Sequence, residues 1–522
     1  MSVSYEKLKL VTVYDPQTHV NENKVYSVLR GGKEITFYQI NAQSTATSSI
    51  QFSLVISNPQ TIVSRQWYLT YFVDIVANGG NFQLQSLDAL RQWPISSCIT
   101  SLQCQINNEN VSVDLSDVVQ PVMRYKVNND SIEKDFTLTA AAPDIYQNYS
   151  DQSIYGTARS PLSAFGSCTA QENRGGFPYQ VLAANHIRAV VTEPLLLCSP
   201  LTMADKNATG FIGLSSANVN IANSNGLARM WSSANSGITG VTVTFYQAPI
   251  LQYRAVIPLA TQPVPRAVTY PYNKVSRFNT QGGALAPGAS TTITTQNVQL
   301  QVMPNRIYLC ARQRNADQTI FSSDSFAYIT NVNVSLSGKS GLLSNASPQL
   351  LYQMCAKNGY NGGWQQWSNY NGSVLCMSPG LDISVDELNT VGSIGQYNLQ
   401  IQVTYTNIGS STINYDVYMI TEDSGVFTIM NGVAHASSGV LTQQDVIQSH
   451  PVMQENIYDI HGGSFLSDLW SGIKRVATHP ITRSIVSTVG PALLKKVVGG
   501  KKKHRGGALM SSTELKRMLS RN

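Results

Sequence analysis

The sequence predicts an all-β protein with two tandem domains, each a β-sandwich or jelly roll of about eight strands. One observation is the alternation of apolar and polar residues, as at Leu102, Cys104 and Ile106, which is typical of strands with one buried face. Another is an internal echo, because Ile99–Ile106 (ITSLQCQI) is followed 230 residues later by ITNVNVSL at residues 329–336. A third is the composition, in which 13% of residues are charged and Thr, Val, Tyr and Asn favour strands and loops.

The echo extends to a second pair of segments, which indicates a duplication. Residues 50–56 and 65–69 resemble residues 293–300 and 306–309, in the same order and about 240 residues apart. In the first pair of segments, Ile99–Ile106 and residues 329–336, the apolar–polar alternation shifts by one residue after the Thr in each. Because no strand–helix alternation is visible, a sandwich or jelly roll is favoured over an α/β fold.

Prolines, glycines and changes of composition divide the chain into an N-terminal arm, a first domain, a Pro-rich linker, a second domain, a junction and a basic tail. The linker contains Pro258, Pro263, Pro265 and Pro271, which are expected to make it stiff. The corresponding ranges are 1–30, 31–256, 257–273, 274–447, 448–463 and 464–522.

Short helices are predicted at three places within the two domains. Residues 87–93 and 116–126 have helical patterns, and Pro121 would either break the second helix or start it. Residues 348–356 form the third helix, with Ser347 as its N-cap and a proline in its first turn.

A long insertion in the first domain, residues 128–235, is rich in Ser, Asn and Gly and is expected to be functional or to form an interface. Within it, strands are predicted at residues 186–192 and 209–214. In the second domain, residues 397–405 and 413–420 are predicted to be long alternating strands.

Residue types that carry catalysis or bind metals do not form a recognisable motif. The seven histidines include no HxH or HExxH pattern, so a cupin-type or zincin metal site lacks its ligands. No P-loop, GxGxxG or GxSxG motif occurs, and Asp and Glu are sparse. The sequence therefore predicts no cofactor, no metal, no catalytic residue and no enzymatic activity, and the scarcity of carboxylates also disfavours a glycoside-processing β-sandwich enzyme.

The cysteines indicate free thiols in a reducing compartment, because their number is odd and none forms a CxxC motif. The N-terminus does not resemble a signal peptide, and without a run of 18 apolar residues no membrane span is predicted. The seven cysteines are Cys98, Cys104, Cys168, Cys198, Cys310, Cys355 and Cys376.

Positive charge is concentrated in the tail. Residues 464–522 carry twelve Lys or Arg and two acidic residues, a net charge of +10, whereas residues 1–463 have a net charge of −4. A cluster between two glycine pairs is predicted to be a solvated patch, a nucleic-acid contact or a nuclear-import signal. Its basic residues are Lys501, Lys502, Lys503 and Arg505.

An amphipathic helix is predicted after Ser464, where apolar residues recur with helical spacing. Such a helix lies in a membrane interface or docks on protein, and docking on protein is the commoner outcome. The apolar residues are Phe465, Leu466, Leu469, Trp470 and Ile473.

Two tandem jelly-roll-like domains, an extended arm, long loops and free thiols together resemble the double-jelly-roll major capsid proteins of double-stranded DNA viruses. Over residues 30–447 the architecture is similar to that of the hexon-like proteins of adintoviruses, Polinton-like viruses and virophages. The resemblance implies two eight-stranded jelly rolls and a homotrimer whose six jelly rolls form a pseudo-hexagonal capsomer of an icosahedral shell. The loops at residues 128–235 and 357–395 would form tower tops or clasps between subunits.

The same resemblance implies partners and a location. The partners are neighbouring capsomers, together with penton and minor capsid proteins. The location is the virion capsid, after synthesis in the host cytoplasm and assembly in the nucleus.

The junction carries a second resemblance. Ile460, Gly462 and Gly463, followed by Ser464, are similar to the pattern cut by adenovirus-type maturation proteases, since paired glycines let a chain lie flat in a narrow groove. The following sequence GGSFLSDLWSGIK resembles a segment of adenovirus internal protein VI, whose amphipathic helix disrupts membranes. This resemblance implies a viral maturation protease as a partner, contact of the uncut tail with viral DNA, and contact of the released tail with a host membrane.

A carbohydrate- or receptor-binding β-sandwich protein of a virion is the alternative function. It requires exposed aromatic platforms, and Trp364 and Trp367, which lie amid Gly and Asn, are the candidates. The other interpretation of these two residues is a pair of core or interface tryptophans.

Overall fold

A computed structural model describes residues 8–15, 20–27, 34–44, 46–84, 87–126, 179–196, 210–233, 235–258, 267–386, 389–439, 441–442 and 445. All of them lie in Met1–His461, the first of the two units into which the chain divides.

The first jelly roll consists of two sheets that face each other across an apolar core, preceded by a hairpin and accompanied by a small two-stranded sheet. The strands of this half are β1 (Leu8–Asp15), β2 (Val20–Ser27), β3 (Glu34–Asn41), β4 (Ser49–Val55), β5 (Ile62–Val63), β6 (Tyr68–Asn78), β7 (Asp88–Leu90), β8 (Ile99–Ile106), β9 (Glu109–Val113), β10 (Tyr179–Ala183), β11 (His186–Pro194), β12 (Ser216–Asn223), β13 (Trp231–Ser233) and β14 (Gly240–Ile257). The larger sheet has the order β10-β11-β6-β14-β3, with β5 beside β14. The other sheet has the order β4-β12-β8-β9, and β1 pairs with β2 and β7 with β13.

The second jelly roll repeats this plan. Its strands are β15 (Ala267–Leu285), β16 (Ser290–Thr294), β17 (Val298–Val302), β18 (Arg306–Gln313), β19 (Tyr328–Leu336), β20 (Lys339–Leu342), β21 (Val374–Met377), β22 (Ile394–Thr406), β23 (Ile413–Met430) and β24 (Val433–Ser438). One sheet has the order β15-β23-β18-β21 and the other β16-β22-β19-β20, with β24 beside β23 and β17 beside β22. Strand for strand, these orders match β3-β14-β6-β11 and β4-β12-β8-β9, so the two rolls have the same topology.

Two α-helices occupy equivalent places in the described part of the chain. Helix α1 (Leu115–Lys126) follows β9, and helix α2 (Pro348–Lys357) follows β20. The prediction for α2 is confirmed, because the side chain of Ser347 accepts a hydrogen bond from the backbone N–H of Leu350 and caps the helix.

The echo in the sequence falls on equivalent strands, since β8 and β19 are each third in their sheets. In β8, Leu102, Cys104 and Ile106 are buried. The predicted slip is a β-bulge in both strands, because the ladders with β12 and β22 skip Thr100 and Thr330. The alternation and its interruption therefore recur together, as a duplication predicts.

The predicted helix at residues 87–93 is wrong. Residues Asp88–Leu90 form β7, which pairs with β13. All three residues are buried. The pattern of apolar and polar residues at 87–93 spans less than two helical turns, which is too short to distinguish a helix from a buried strand.

The predicted strand at residues 209–214 is also wrong. Its described part makes only an isolated bridge between Phe211 and Val63, and the regular strand, β12, begins afterwards at Ser216. Gly213 has φ +80°, which interrupts an extended chain, and Phe211 is buried by packing outside a sheet.

The segment predicted as a linker is shorter than expected. Strand β14 runs to Ile257 and β15 begins at Ala267, so the last seven residues of the segment belong to a strand. Pro271 lies within β15, which is at the edge of its sheet, where a missing backbone donor is tolerated.

Pro121 neither breaks nor starts α1 but lies inside it. It cannot donate the usual backbone hydrogen bond within the helix. Nine of the twelve residues of α1 are buried, so packing outweighs that loss.

Candidate functional site: the joint between the two jelly rolls

The two rolls lie side by side, and one group of contacts between them is made by loops at one end. In a jelly roll, successive connections alternate between the two ends of the sandwich. The β6–β8, β9–β11 and β12–β14 connections therefore share an end of the first roll, and β18–β19 and β20–β21 share an end of the second. We call the contacts between these two loop groups the joint.

Two arginines of the first roll hold a loop of the second. Arg91 and Arg229 bind opposite oxygens of Asp324, with N–O distances of 3.1 Å and 2.7 Å. The Nη2 atom of Arg91 also donates to the carbonyls of Ile320 (3.0 Å) and Ser322 (2.7 Å), and Arg229 donates to Ser322 at 2.8 Å. The β18–β19 loop is thus held both through the carboxylate of Asp324 and through the backbone carbonyls of Ile320 and Ser322.

The small β7–β13 sheet positions both arginines. Arg91 directly follows β7 and Arg229 closely precedes β13, so the pairing of Leu90 with Trp231 brings the two guanidinium groups to one place. The backbone N–H of Arg91 donates to the carbonyl of Met230, and its Nε donates to that of Trp231.

Asp324 carries the charge that makes this arrangement stable. Burial would raise the pKa of its carboxyl, but Arg91 and Arg229 outweigh this effect and hold the pKa below its usual value. The Arg91 side chain is fully buried and that of Arg229 is 8% exposed. Because charges so far from water need partners, the three side chains act as one unit.

Helix α1 lies between the rolls and is bound to the second roll at its N-terminal end. Arg277 of β15 contacts Asp117 at 2.9 Å and Asp114 at 3.1 Å. Arg312 of β18 donates to the carbonyl of Ser116 at 2.9 Å. The anionic first turn also complements the positive end of the helix dipole.

The C-terminal end of α1 is bound as well. Lys126 contacts the buried carboxyl of Glu422 at 2.7 Å, and the hydroxyl of Tyr308 donates to the other carboxylate oxygen at 3.0 Å. Burial would raise the pKa of Glu422, but Lys126 lowers it below its usual value. The hydroxyl of Tyr125 donates to the carbonyl of Val374 in β21.

A further contact between the rolls lies at the end opposite the joint. Asn108, in the β8–β9 turn, accepts a hydrogen bond from the backbone of Ala434 at 2.8 Å. Between the ends, Phe211 packs edge-on against Tyr270, with ring centroids 5.2 Å apart, and lies against Phe427. The two rolls therefore contact each other at both ends and between the ends.

The two tryptophans proposed as a sugar platform are mainly structural. Trp367 is fully buried, and Trp364 stacks on it with ring centroids 5.8 Å apart. Tyr352 and Tyr328 approach both rings edge-on or tilted. The core interpretation of this pair is therefore the one that the structure supports.

The residues predicted for protease cleavage, membrane binding and nucleic-acid contact all lie outside the described residues. Within the described ranges, no group of His, Cys, Asp and Glu could hold a metal ion, and no helix is long and apolar enough to cross a membrane. Five cysteines are buried free thiols, namely Cys98, Cys104, Cys310, Cys355 and Cys376. The remaining two, Cys168 and Cys198, are not among the residues described.

Sequence reasoning missed the residues of the joint. The available signal was charge in an apolar setting, since Arg91 stands in the run Ala-Leu-Arg-Gln-Trp of a chain with few charges. A buried charge of this kind needs a partner, but the sequence does not say which carboxylate supplies it.

Comparisons with known proteins agree with this architecture. The first-domain model of the Sputnik virophage major capsid protein matches residues 7–187, and the C-terminal domain model of major capsid protein V20 matches residues 273–371 and 369–425. The curated capsid protein V20 of the Sputnik virophage is 30% identical over 531 aligned positions, covering 91% of this chain and 88% of the relative.

Solved structures show the same likeness. A chain of the Sputnik virophage structure determined by cryo-EM matches with a TM-score of 0.73 and 28% identity, covering 90% of this chain and 99% of that one. The mavirus major capsid protein matches in fold, with a TM-score of 0.66 and 15% identity, covering 83% and 95% of the two chains. Membership of a capsid protein family argues against an enzymatic role and indicates the virion capsid as the location. The chain therefore belongs to the virophage major capsid protein family of double-jelly-roll proteins, which form the capsids of double-stranded DNA viruses.

Proposed function

We propose that this major capsid protein assembles as a homotrimer whose six jelly rolls form a pseudo-hexagonal capsomer, and that these capsomers tile an icosahedral shell. The observation that carries the proposal is the joint. It holds two rolls of the same topology side by side, which is the repeating unit that a ring of six rolls built from three chains requires.

The mass of the purified full-length protein tests this proposal. A trimer has three times the chain mass of 56.9 kDa, which light scattering after gel filtration measures directly. Electron microscopy of the same sample would show particles with six-fold outlines. A protein that stays monomeric at high concentration contradicts the proposal.

Assembly into a shell brings each capsomer against copies of itself and against penton and minor capsid proteins. Polypeptide synthesis in the host cytoplasm and assembly in the nucleus fit the basic tail cluster as an import signal. Fusing residues 499–507 to a fluorescent protein tests this part, because nuclear accumulation should be lost when the cluster is replaced by Ala.

A viral maturation protease would cut the tail between Gly463 and Ser464. The position of Gly462 and Gly463 supports this cleavage site, because the chain before it has a net charge of −4 and the tail after it a net charge of +10. Co-expression with an adenovirus-type protease should give a new N-terminus at Ser464, and Gly463→Val should prevent the cut by placing a side chain in the groove. An intact chain after co-expression contradicts this proposal.

Before cleavage, the tail would contact DNA through its basic residues, and afterwards its helix would bind a membrane. Each apolar residue of the helix could contribute roughly 1.5–3 kcal/mol on burial, before ordering costs. A synthetic peptide of residues 464–498 should cause leakage of anionic liposomes, and Trp470→Ala with Leu469→Ala should reduce it. Unchanged leakage would count against membrane binding by this face.

A further inference from the structure

Helix α2 is the counterpart of α1, but its surroundings differ. Each helix follows the second strand of an equivalent hairpin, β8–β9 or β19–β20. Nine residues of α1 are buried, whereas α2 has three buried residues among its ten. Leu350, in the first turn of α2, is 53% exposed. The other exposed residues of α2 are Gln349, Gln353, Ala356 and Lys357.

The surface that receives α1 also has a counterpart. Helix α1 is held by β15 and β18 of the second roll, and in the first roll the same places in the sheet belong to β3 and β6. The faces of the two edge strands correspond, because Ile40 of β3 and Phe278 of β15 both pack against the apolar core.

Side chains alternate along a strand, so the residues next to Ile40 and Phe278 lie on the outer face of each sheet. In β15 that face carries Arg277, and in β3 it carries Gln39. Two residues before Gln39 on the same face stands Phe37, which is 77% exposed. Arg254 of β14 pairs with Phe37, and its guanidinium lies 6.0 Å from the Phe37 ring, so this face combines exposed apolar side chains with a cation.

The two helices also differ in the residue at the third position of their first turn. The third residue of α1 is Asp117, which binds Arg277, and the third residue of α2 is Leu350. Within the chain, α1 is therefore held by an ion pair with Arg277. In α2 the exposed Leu350 stands in the first turn instead, and it is suited to pack on the exposed apolar side chains of β3, Phe37 and Ile35, of which Ile35 is 47% exposed.

We propose that α2 of one copy docks on the β3–β6 face of the first roll of a neighbouring copy. This contact repeats between chains the contact that α1 makes within a chain, and it rests on the proposed trimer. Because it joins two different surfaces, it propagates from copy to copy and closes into a ring when three copies alternate their rolls. The partner of this surface is a second copy of the chain.

Single substitutions at the two surfaces test the contact. Leu350→Asp and Phe37→Asp should each raise the dissociation constant of the trimer at least about tenfold, because a charge replaces a buried apolar side chain. Val55→Asp is the matched control, since Val55 is 73% exposed but lies on β4, outside the proposed contact. All three positions are exposed within the chain, so the melting temperature of the monomer should not change.

A second measurement does not depend on weakening the trimer. In the full-length protein, Phe37→Cys combined with Leu350→Cys should form a disulfide between chains on mild oxidation, which gives linked trimers on a non-reducing gel. Val55→Cys combined with Leu350→Cys should not. The described native cysteines are buried and should not compete.

The outcomes separate this inference from the proposed function. A wild-type trimer that is weakened by both aspartates and linked by the first cysteine pair supports the contact. A wild-type trimer that neither aspartate weakens and the first pair does not link overturns the contact and leaves the trimer standing. A monomeric wild type overturns both.

Discussion

Replacing Asp324 by asparagine removes a negative charge that Arg91 and Arg229 share, without changing the shape of the side chain. Both buried guanidinium groups then lose the ion pair with this carboxylate. Removing one member of a buried ion pair costs about 3–5 kcal/mol. The arginines keep their hydrogen bonds to the carbonyls of Ile320 and Ser322, so we expect the lower end, about 3 kcal/mol.

Urea unfolding followed by tryptophan fluorescence measures this loss, because Trp231 adjoins the joint. Asp386→Asn is the matched control, since its ion pair with Lys339 has both side chains largely in water and should contribute at most about 1 kcal/mol. If Asp324→Asn cost no more than this control, the three side chains would not act as a buried unit and the reasoning would be refuted.

The same carboxyl predicts a response to acid. Its pKa is lowered in the folded protein, so its stabilisation is complete above the ordinary carboxyl value of 3.8 and is lost as the pH falls through the lower native value. Asp324→Asn should therefore reduce the slope of stability against pH below about 4.

Three other predictions concern single buried groups. Burial raises the pKa of Glu193 to about 7, so the free energy of unfolding should fall by up to about 1.4 kcal/mol per pH unit as the pH rises from 4.5 to 7, and Glu193→Gln should flatten that part of the curve. Trp367→Ala should cost about 3–5 kcal/mol in urea unfolding, because it opens a cavity under Trp364, whereas Trp364→Ala should cost less. The thiols of Cys98 and Cys310 should resist a thiol reagent in the native protein at pH 8 and react only after unfolding, because burial raises the pKa of each to about 12.

Several features of the fold follow from local sequence. The alternation in Ile99–Ile106 and its echo determine one buried face in β8 and β19, because side chains of a strand point alternately to opposite sides. The slips after Thr100 and Thr330 give the bulges, and the cap at Ser347 gives the start of α2. These signals depend on neighbours within a few residues, so a sequence can display them.

Other local patterns gave the wrong element. Residues 87–93 resemble a helix, yet β7 forms because β13, more than 130 residues away, supplies its hydrogen-bond partners. Pro121 is tolerated inside α1 because both rolls bury that helix. In each case the deciding contact is distant along the chain, and intrinsic preferences of under about 1 kcal/mol per residue, or one missing hydrogen bond, are outweighed by packing.

The sequence by itself determined an all-β chain with a duplicated pattern, a weakly charged body and a basic tail. The tertiary structure decided which charges meet, because Arg91 and Asp324 are 233 residues apart and come together only when the two rolls are side by side. It also decided that α1 is enclosed while α2 presents Leu350 to solvent, although the two helices follow equivalent hairpins. Periodicity is a local property of the chain, whereas burial and ion pairing depend on which surfaces face each other after folding.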